Sequence, residues 1–262
     1  MKVKVIPVLE DNYMYLVIEE LTREAVAVDV AVPKRVRGPR AGNPELARLR
    51  PGLAVLGADE RIFSLTRRLA HGEELRFGAI HVRCLLTPGH TAGHMSYFLW
   101  EDDCPDPPAL FSGDALSVAG CGSCLEGSAQ QMYQSLAELG TLPPETKVFC
   151  GHEHTLSNLE FAQKVEPCND HVRAKLSWAK KRDEDDVPTV PSTLGEERLY
   201  NPFLRVAEEP VRKFTGKAVP ADVLEALCKE RARFEQAGEP RQPQARALLA
   251  LQWGLLSAAP HE

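Results

Sequence analysis

The sequence of 262 residues lacks the features that mark membrane-spanning, secreted and nucleic-acid-binding proteins. No apolar run approaches the roughly 20 residues that span a bilayer, and the first residues alternate instead of forming a continuous apolar signal segment. A net charge of −6 gives no basic surplus for a nucleic-acid partner. The seven cysteines are an odd number and are dispersed through the chain, which favours reduced thiols. We therefore expect a cytoplasmic protein with no nucleic-acid or membrane partner.

The composition is that of an ordinary globular protein, with 44% hydrophobic and 26% charged residues. Short β-type runs predict strands at residues 3–8, 14–19, 25–29, 53–56, 80–86, 95–100, 109–112 and 147–150. Apolar residues at helical spacing predict helices at residues 59–70, 128–139, 155–165, 169–182 and 221–237. A proline-punctuated loop is predicted at 183–201. The layout predicts an α+β domain over residues 1–160, a helical region over 161–237 and a disordered tail over 238–262.

Three short segments place metal-capable side chains in the turn that follows a predicted strand. They read Leu86-Thr-Pro-Gly-His90-Thr-Ala-Gly-His94, Phe111-Ser-Gly-Asp114 and Val148-Phe-Cys-Gly-His152-Glu-His154. In each, an apolar strand sets the direction, a glycine permits a tight turn, and a following residue presents an imidazole or a carboxylate. Imidazoles with one carboxylate are a donor set for zinc or iron. One segment alone is more often a plain turn, but the ordered set of three predicts convergence on one cleft.

These motifs occur together with Asp11-Asn-Tyr-Met-Tyr15, Ala119-Gly-Cys-Gly, Pro188-Thr-Val-Pro-Ser-Thr-Leu and Tyr200-Asn-Pro-Phe. In this combination the chain resembles the hydroxyacylglutathione hydrolase (glyoxalase II) family of the metallo-β-lactamase superfamily, from residue 1 to about 237. The resemblance implies a metallo-β-lactamase-like αββα sandwich with a C-terminal helical region that holds glutathione. It also implies hydrolysis of an S-acyl glutathione thioester by a hydroxide that bridges two metal ions, which lower the pKa of the water and stabilise the oxyanion.

The family's metal motif, Thr-His-x-His-x-Asp-His, is absent from this chain. In the family it closes a strand after the first helix and supplies four of the seven protein ligands. Here Val36 is joined to Gly42 by the five residues of a junction at 37–41, and no histidine precedes His71. Prolines at 33, 39, 44 and 51 exclude a long helix in this stretch. We expect an incomplete sandwich that lacks one helix–strand unit, as a spliced-out segment would leave.

The resemblance carries three ligand positions over to this chain. His90 corresponds to a ligand of one metal, His152 to a ligand of the other and Asp114 to the bridging carboxylate. These three residues are the predicted metal site, and zinc is the expected metal. The family implies two ions, but two imidazoles and one carboxylate hold at most one here. For His94 the favoured interpretation is a hydrogen-bonded or surface imidazole, and no catalytic side chain is assigned.

The glutathione-binding side of the family has also changed. The family's Cys-Gly-x-x-x-Glu-Gly loop carries a Lys and a Tyr, whereas Cys121-Gly-Ser-Cys-Leu-Glu-Gly127 carries neither. A family Arg appears here as Cys228, a family Lys as Arg231 and a family Tyr as His154. Arg231 is therefore the remaining cationic candidate for substrate binding. His154 is a second candidate, and a surface imidazole is the alternative interpretation of it.

Three functional interpretations stay open at this point. The first is a metal-dependent hydrolase of small-molecule thioesters or esters, with impaired or absent activity; the second is a catalytically inactive scaffold, or pseudoenzyme. The third is a truncated product with no stable function. We expect a monomer. The lost helix and strand would leave unpaired backbone groups and uncovered apolar side chains. Residues 53–56 would then pair with the strand that ends at Asp29, and marginal stability or dependence on a chaperone is predicted.

Overall fold

The structure is a computed structural model that describes residues 1–30 and 52–237. The junction at 37–41 and the tail at 238–262 lie outside the described residues. The strands are β1 Lys2–Val8, β2 Asn12–Ile18, β3 Ala25–Val28, β4 Leu56–Gly57, β5 Arg67–Arg68, β6 Glu74–Phe77, β7 Ile80–Leu86, β8 Met95–Glu101, β9 Ala109–Gly113, β10 Lys147–Cys150 and β11 Ser192–Thr193. The helices are α1 Ala129–Leu139, α2 Thr155–Val165, α3 Asp170–Glu184, α4 Leu194–Tyr200, α5 Glu209–Thr215 and α6 Pro220–Ala237.

Two larger sheets form the body of the protein. β1, β2 and β3 form an antiparallel sheet in that order, and six strands form a second sheet in the order β11-β10-β9-β8-β7-β6. In the second sheet the β9–β10 pair is parallel and the other pairs are antiparallel. On β2, side chains alternate between buried and half-buried, as expected for a strand with one face on a core.

The two sheets pack face to face through aromatic side chains. Tyr15 of β2 makes edge contacts with Phe111 of β9 and Phe149 of β10, each with ring centroids 5.3 Å apart. The opposite face of the six-stranded sheet packs on helices, where Leu136 of α1, Phe161 of α2 and Leu227 of α6 join one buried cluster with the sheet. The chain therefore builds a sheet–sheet–helix arrangement around the six-stranded sheet.

The first helix layer of the predicted αββα sandwich is not found in the described residues. Over 1–30 and 52–128 the chain contains strands, turns and bends, and its described helices all follow β9. The C-terminal helical region is confirmed, whereas the residues in which the missing helix–strand unit would fall lie outside the described residues, so the incomplete sandwich stays a prediction. None of the helices in the described chain is long and apolar enough to cross a membrane.

The helix predicted over residues 59–70 is wrong. The chain forms turns there, followed by β5. The carboxylate of Asp59 accepts the backbone N–H of Arg61 at 2.9 Å and also binds its guanidinium, and Ser64 has a left-handed backbone with φ of 59°. Local side-chain bonds of this kind compete with helical hydrogen bonds.

The pairing predicted for residues 53–56 with the strand ending at Asp29 is also wrong. Only Leu56 and Gly57 form a strand, and they pair with β5 in parallel. The backbone N–H of Val55 is bound by the Thr66 hydroxyl at 2.9 Å, which ties this segment to its own downstream turn. The segment therefore pairs with the nearby β5 and not with the strand that ends at Asp29.

The loop predicted over 183–201 contains a short helix, α4. Thr193 caps it, because its side chain accepts the Glu196 N–H and the Glu196 side chain returns to the Thr193 N–H. This reciprocal arrangement is a capping box. The same device, formed by Ser128 and Gln131, starts α1, and the helix predicted over 128–139 is confirmed.

Candidate metal site at the strand ends

The three motif segments follow strands that point in the same direction. β9 and β10 are parallel, and β7 is antiparallel to β8, which is antiparallel to β9. The carboxyl ends of β7, β9 and β10 therefore meet at one edge of the six-stranded sheet. The turns beyond them bring His90, Asp114 and His152 to the same place.

Asp114 lies between the two imidazoles. Its Oδ2 is 3.4 Å from His90 Nε2, and its Oδ1 is 3.5 Å from His152 Nε2. Solvent reaches all three side chains, which are 21%, 30% and 29% exposed for His90, Asp114 and His152. Each carboxylate oxygen thus faces one imidazole, which is the arrangement of a bridging carboxylate; the role of these residues as metal ligands stays a prediction.

His90 is oriented by the loop after β9. Its Nδ1 donates to the Ser123 carbonyl at 2.9 Å, which leaves Nε2 free to face Asp114. Gly122 makes this close packing possible, since a Cβ at that position would lie 2.4 Å from the Asp114 carbonyl oxygen and 2.8 Å from His90 Nδ1. The Gly122 N–H also donates to that carbonyl at 2.7 Å. The loop and the strand end therefore hold each other in place.

His94 lies behind this group and supports Asp114. Its Nε2 accepts the Asp114 backbone N–H at 3.2 Å, and its Nδ1 lies 2.8 Å from the Thr87 hydroxyl. Burial lowers the pKa of His94 to about 4, so the ring is neutral at pH 7. The interpretation of His94 as a hydrogen-bonded neighbour is confirmed.

Asp11, in the turn between β1 and β2, is a functional candidate that the sequence reasoning missed. Its Oδ1 accepts from His152 Nδ1 at 3.2 Å and its Oδ2 accepts from His154 Nε2 at 2.8 Å. The two imidazoles are stacked, with centroids 5.2 Å apart and planes at 18°. The hydrogen bonds from His152 and His154 lower the pKa of Asp11, and the bond to Asp11 raises the pKa of His152. The Asp11-Asn12 dipeptide was used for the resemblance, but no local pattern links it to residue 152.

Arg231, predicted as a substrate contact, lies inside the protein. Its guanidinium donates to the Cys121 carbonyl and, at 3.1 Å, to the Ser123 hydroxyl, and it lies over the Phe203 ring at 5.5 Å. The side chain is 7% exposed in total. Arg231 therefore holds the loop that in turn orients His90, and its role toward a substrate stays a prediction. His154 is exposed and lies against Asp11.

The described residues around Asp114 do not fit a pair of metal ions. A catalytic zinc ion normally has three protein ligands, yet each oxygen of Asp114 faces a single imidazole. Residues 31–51 contain no histidine, aspartate or cysteine that could add to them. We therefore derive no reaction step through a pair of metal ions. A second donor group, made of Asp11, His152 and His154, has ligand atoms that all lie within 4.8 Å of one another.

Comparison with known proteins identifies the fold. The solved structure of ETHE1 from Myxococcus xanthus matches with a TM-score of 0.60 and 23% identity, over 96% of this chain and 98% of that chain. A metallo-β-lactamase from Staphylococcus aureus matches with a TM-score of 0.57 and 17% identity, over 100% of this chain and 74% of that chain. The fold is the metallo-β-lactamase fold with a C-terminal helical region.

Comparison also identifies the family. The family model of the hydroxyacylglutathione hydrolase C-terminus matches residues 153–234. The hydroxyacylglutathione hydrolase-like protein of Mus musculus is 75% identical over 278 aligned residues, which cover 98% of this chain and 98% of that protein. Because the alignment is longer than the 262 residues of this chain, the mouse relative contains residues that this chain lacks. On these matches, this chain belongs to the hydroxyacylglutathione hydrolase-like family.

Proposed function

We propose that this chain is a hydroxyacylglutathione hydrolase-like protein. The reaction expected from its family is metal-dependent hydrolysis of an ester or thioester bond, and we propose that this activity is impaired or absent in this form. The observation that carries the proposal is the geometry at Asp114, where each carboxylate oxygen faces one imidazole. Three protein ligands at each of two ions, as a catalytic zinc requires, cannot be assembled from these donors.

Two sequence observations support the loss of a ligand-bearing segment. The Thr-His-x-His-x-Asp-His motif is absent, and residues 31–51 contain no histidine. The mouse relative, by contrast, contains residues that this chain lacks. Alternative splicing would produce a form that lacks such an internal segment.

At the Asp114 site we propose at most one zinc ion, held by His90, Asp114 and His152. Its chemistry when bound would be to polarise a carbonyl and to lower the pKa of a bound water. The chain's own residues would orient this group: the Ser123 carbonyl fixes the proton on His90 Nδ1, and Asp11 fixes the proton on His152 Nδ1.

The ligand would be a small-molecule thioester or ester. We propose that the protein is a cytoplasmic monomer with no nucleic-acid or membrane partner.

Glutathione carries two carboxylates, so its recognition calls for exposed cations. Arg231, which was the remaining cationic candidate, is buried against the Cys121 and Ser123 loop. This observation favours a second candidate function, a catalytically inactive scaffold or pseudoenzyme.

The test combines metal stoichiometry with turnover on the full chain. Elemental analysis of protein purified without chelator should give at most about one zinc ion per chain, and S-lactoylglutathione hydrolysis should be absent or far below that of a two-metal enzyme. The control is Asp114→Ala, which removes the carboxylate that both imidazoles face. Two ions per chain, with turnover that Asp114→Ala abolishes, would contradict the proposal. Residual turnover lost in Asp114→Ala would favour the impaired hydrolase over the scaffold.

A further inference from the structure

The cluster of Asp11, His152 and His154 lies beside the Asp114 site but faces away from it. Asp11 presents one oxygen to each imidazole, at 3.2 Å for His152 Nδ1 and 2.8 Å for His154 Nε2. The stacked rings direct both nitrogens toward the same carboxylate. One carboxylate and two imidazoles therefore converge on one point at the protein surface.

This donor set and its spacing suit a divalent transition metal. Two imidazoles with one carboxylate hold zinc in open sites, where water completes the coordination. Ligand atoms on a tetrahedral zinc, each roughly 2.0–2.2 Å from the metal, lie about 3.3–3.5 Å apart. The 3.2 Å separation of His152 Nδ1 from Asp11 Oδ1 is close to that value. His154 Nε2 faces the other oxygen, Oδ2, at 2.8 Å, so the His154 ring must shift toward an ion held by His152 and Oδ1. The His154 side chain is 53% exposed, so it can move without disturbing the core.

The backbone around the cluster is rigid. The Glu153 N–H donates to the Asp11 carbonyl at 2.7 Å, and the Tyr13 N–H donates to the Gly151 carbonyl at 2.8 Å. Asn12 and His152 form an isolated antiparallel bridge between these bonds. The turn after β1 is thereby fastened to the end of β10. His154 precedes α2 without making a side-chain capping bond, so helix capping does not hold its ring.

His152 is supported on both sides. Its Nδ1 faces Asp11, whereas its Nε2 lies 3.5 Å from Asp114 Oδ1. A metal bound through Nδ1 places the ring proton on Nε2, where Asp114 can accept it. Metal-bound histidines commonly donate their other ring N–H to a carboxylate, which fixes the ring orientation. In this arrangement Asp114 orients a ligand of the neighbouring site.

We propose that Asp11, His152 and His154 bind one divalent transition-metal ion, with Zn²⁺ the expected occupant and water in the open positions. This ion would use His152 Nδ1, whereas the predicted Asp114 site would use Nε2 and keep the proton on Nδ1. A neutral imidazole has one free nitrogen, so the two sites are alternatives and one ion is expected per chain. The inference holds whether or not the chain hydrolyses a thioester.

The test is Zn²⁺ binding by the chelator-stripped full chain, measured by competition with a chromophoric chelator, with the Co²⁺ absorption spectrum as a second readout. We expect about one Zn²⁺ per chain and a tetrahedral-type Co²⁺ spectrum. His154→Phe keeps the stacked ring but removes the donor, and it should weaken binding at least about tenfold. Asp11→Asn should do the same.

A matched control locates the ion. His171→Phe removes an exposed histidine that belongs to neither donor group, and it should leave the affinity within about twofold. Far-UV circular dichroism of each metal-free variant checks that it is folded. No binding by the unmodified chain, or an unchanged affinity in His154→Phe, would overturn the proposal. Two bound ions with thioester turnover would contradict the proposed function, and His154→Phe would still decide this site.

Discussion

The two sheets of the protein differ in how completely they are covered. The six-stranded sheet is buried on both faces, by the three-stranded sheet on one side and by α1, α2 and α6 on the other, and β9 has four buried residues in succession. In the three-stranded sheet, β3 alternates between exposed and half-buried residues, and Val8 is the one buried residue of β1. The candidate ligands His90, Asp114 and His152 all follow strands of the six-stranded sheet. The comparison teaches that a sheet packed on both faces holds the turns at its strand ends in place.

The largest expected effect comes from restoring the missing unit. A helix–strand segment ending in Thr-His-x-His-x-Asp-His, inserted between Val36 and Gly42, should raise the zinc content to about two ions per chain, because both oxygens of Asp114 would then share their ions with further imidazoles. Thioester turnover should rise by orders of magnitude. Elemental analysis and an S-lactoylglutathione assay measure both changes.

The control for this insertion is the same segment with its histidines replaced by alanine, which separates structural repair from metal binding. If the restored protein stays metal-free, the loss of the motif is not the reason for the incomplete centre.

Truncating a side chain should lower the unfolding free energy more at the six-stranded sheet than at the three-stranded sheet. Leu136 of α1 is fully buried against the six-stranded sheet, and Leu136→Ala should cost about 2–5 kcal/mol of unfolding free energy. Val26 of β3 is only half-buried, so Val26→Ala should cost about 1 kcal/mol or less. Urea denaturation of the two variants measures the difference. Equal losses would show that the three-stranded sheet is packed as tightly as its partner.

Acid should weaken the covered sheet edge through His94. Its pKa is lowered to about 4 in the folded protein, so the unfolded chain binds the proton more tightly between pH 6.5 and 4. Stability from this residue is therefore complete above pH 6.5 and falls with pH, by up to about 3 kcal/mol at pH 4. Unfolding free energies at several pH values should fall more steeply for the unmodified chain than for His94→Gln. Parallel profiles would contradict the assignment.

The smallest expected effect concerns exposed apolar side chains in and around β4. Leu53, Leu56 and Phe63 are 38%, 36% and 54% exposed, which predicts binding of a hydrophobic fluorescent dye. Phe63→Ser should reduce the dye signal while changing the unfolding free energy by no more than about 0.5 kcal/mol. A cooperative melt without any dye binding would count against the predicted marginal stability.

Much of the fold could be predicted because its determinants are local. The alternation of β2, the apolar runs of β7 to β10 and the capping box at Ser128 are readable within a few residues. The helix predicted at 59–70 failed because the Asp59 carboxylate binds Arg61 and closes a turn. α4 was missed although Thr193 and Glu196 form a readable capping box, since the prolines before them favoured a loop.

Some residues of the candidate site could also be predicted from local sequence, whereas others could not. The turns after β7, β9 and β10 carry His90, Asp114 and His152, so a sequence pattern was enough to name them. Asp11 could not be found, because it is 141 positions from His152 in the chain and no spacing rule links them. Arg231 could be named from the resemblance, but its burial under the Ser123 loop required the packing of α6 against that loop.

By itself, then, the sequence determined the family and the strand-end turns, because each is written in contiguous residues. Only the tertiary structure decided which carboxylate each imidazole meets. His152 lies between Asp114 and Asp11 because the turn after β1 is fastened to the end of β10 by backbone hydrogen bonds. Such pairings join residues that are distant in the chain, and a hydrogen bond or a coordination site requires its atoms within a few ångströms, a condition that chain order does not encode.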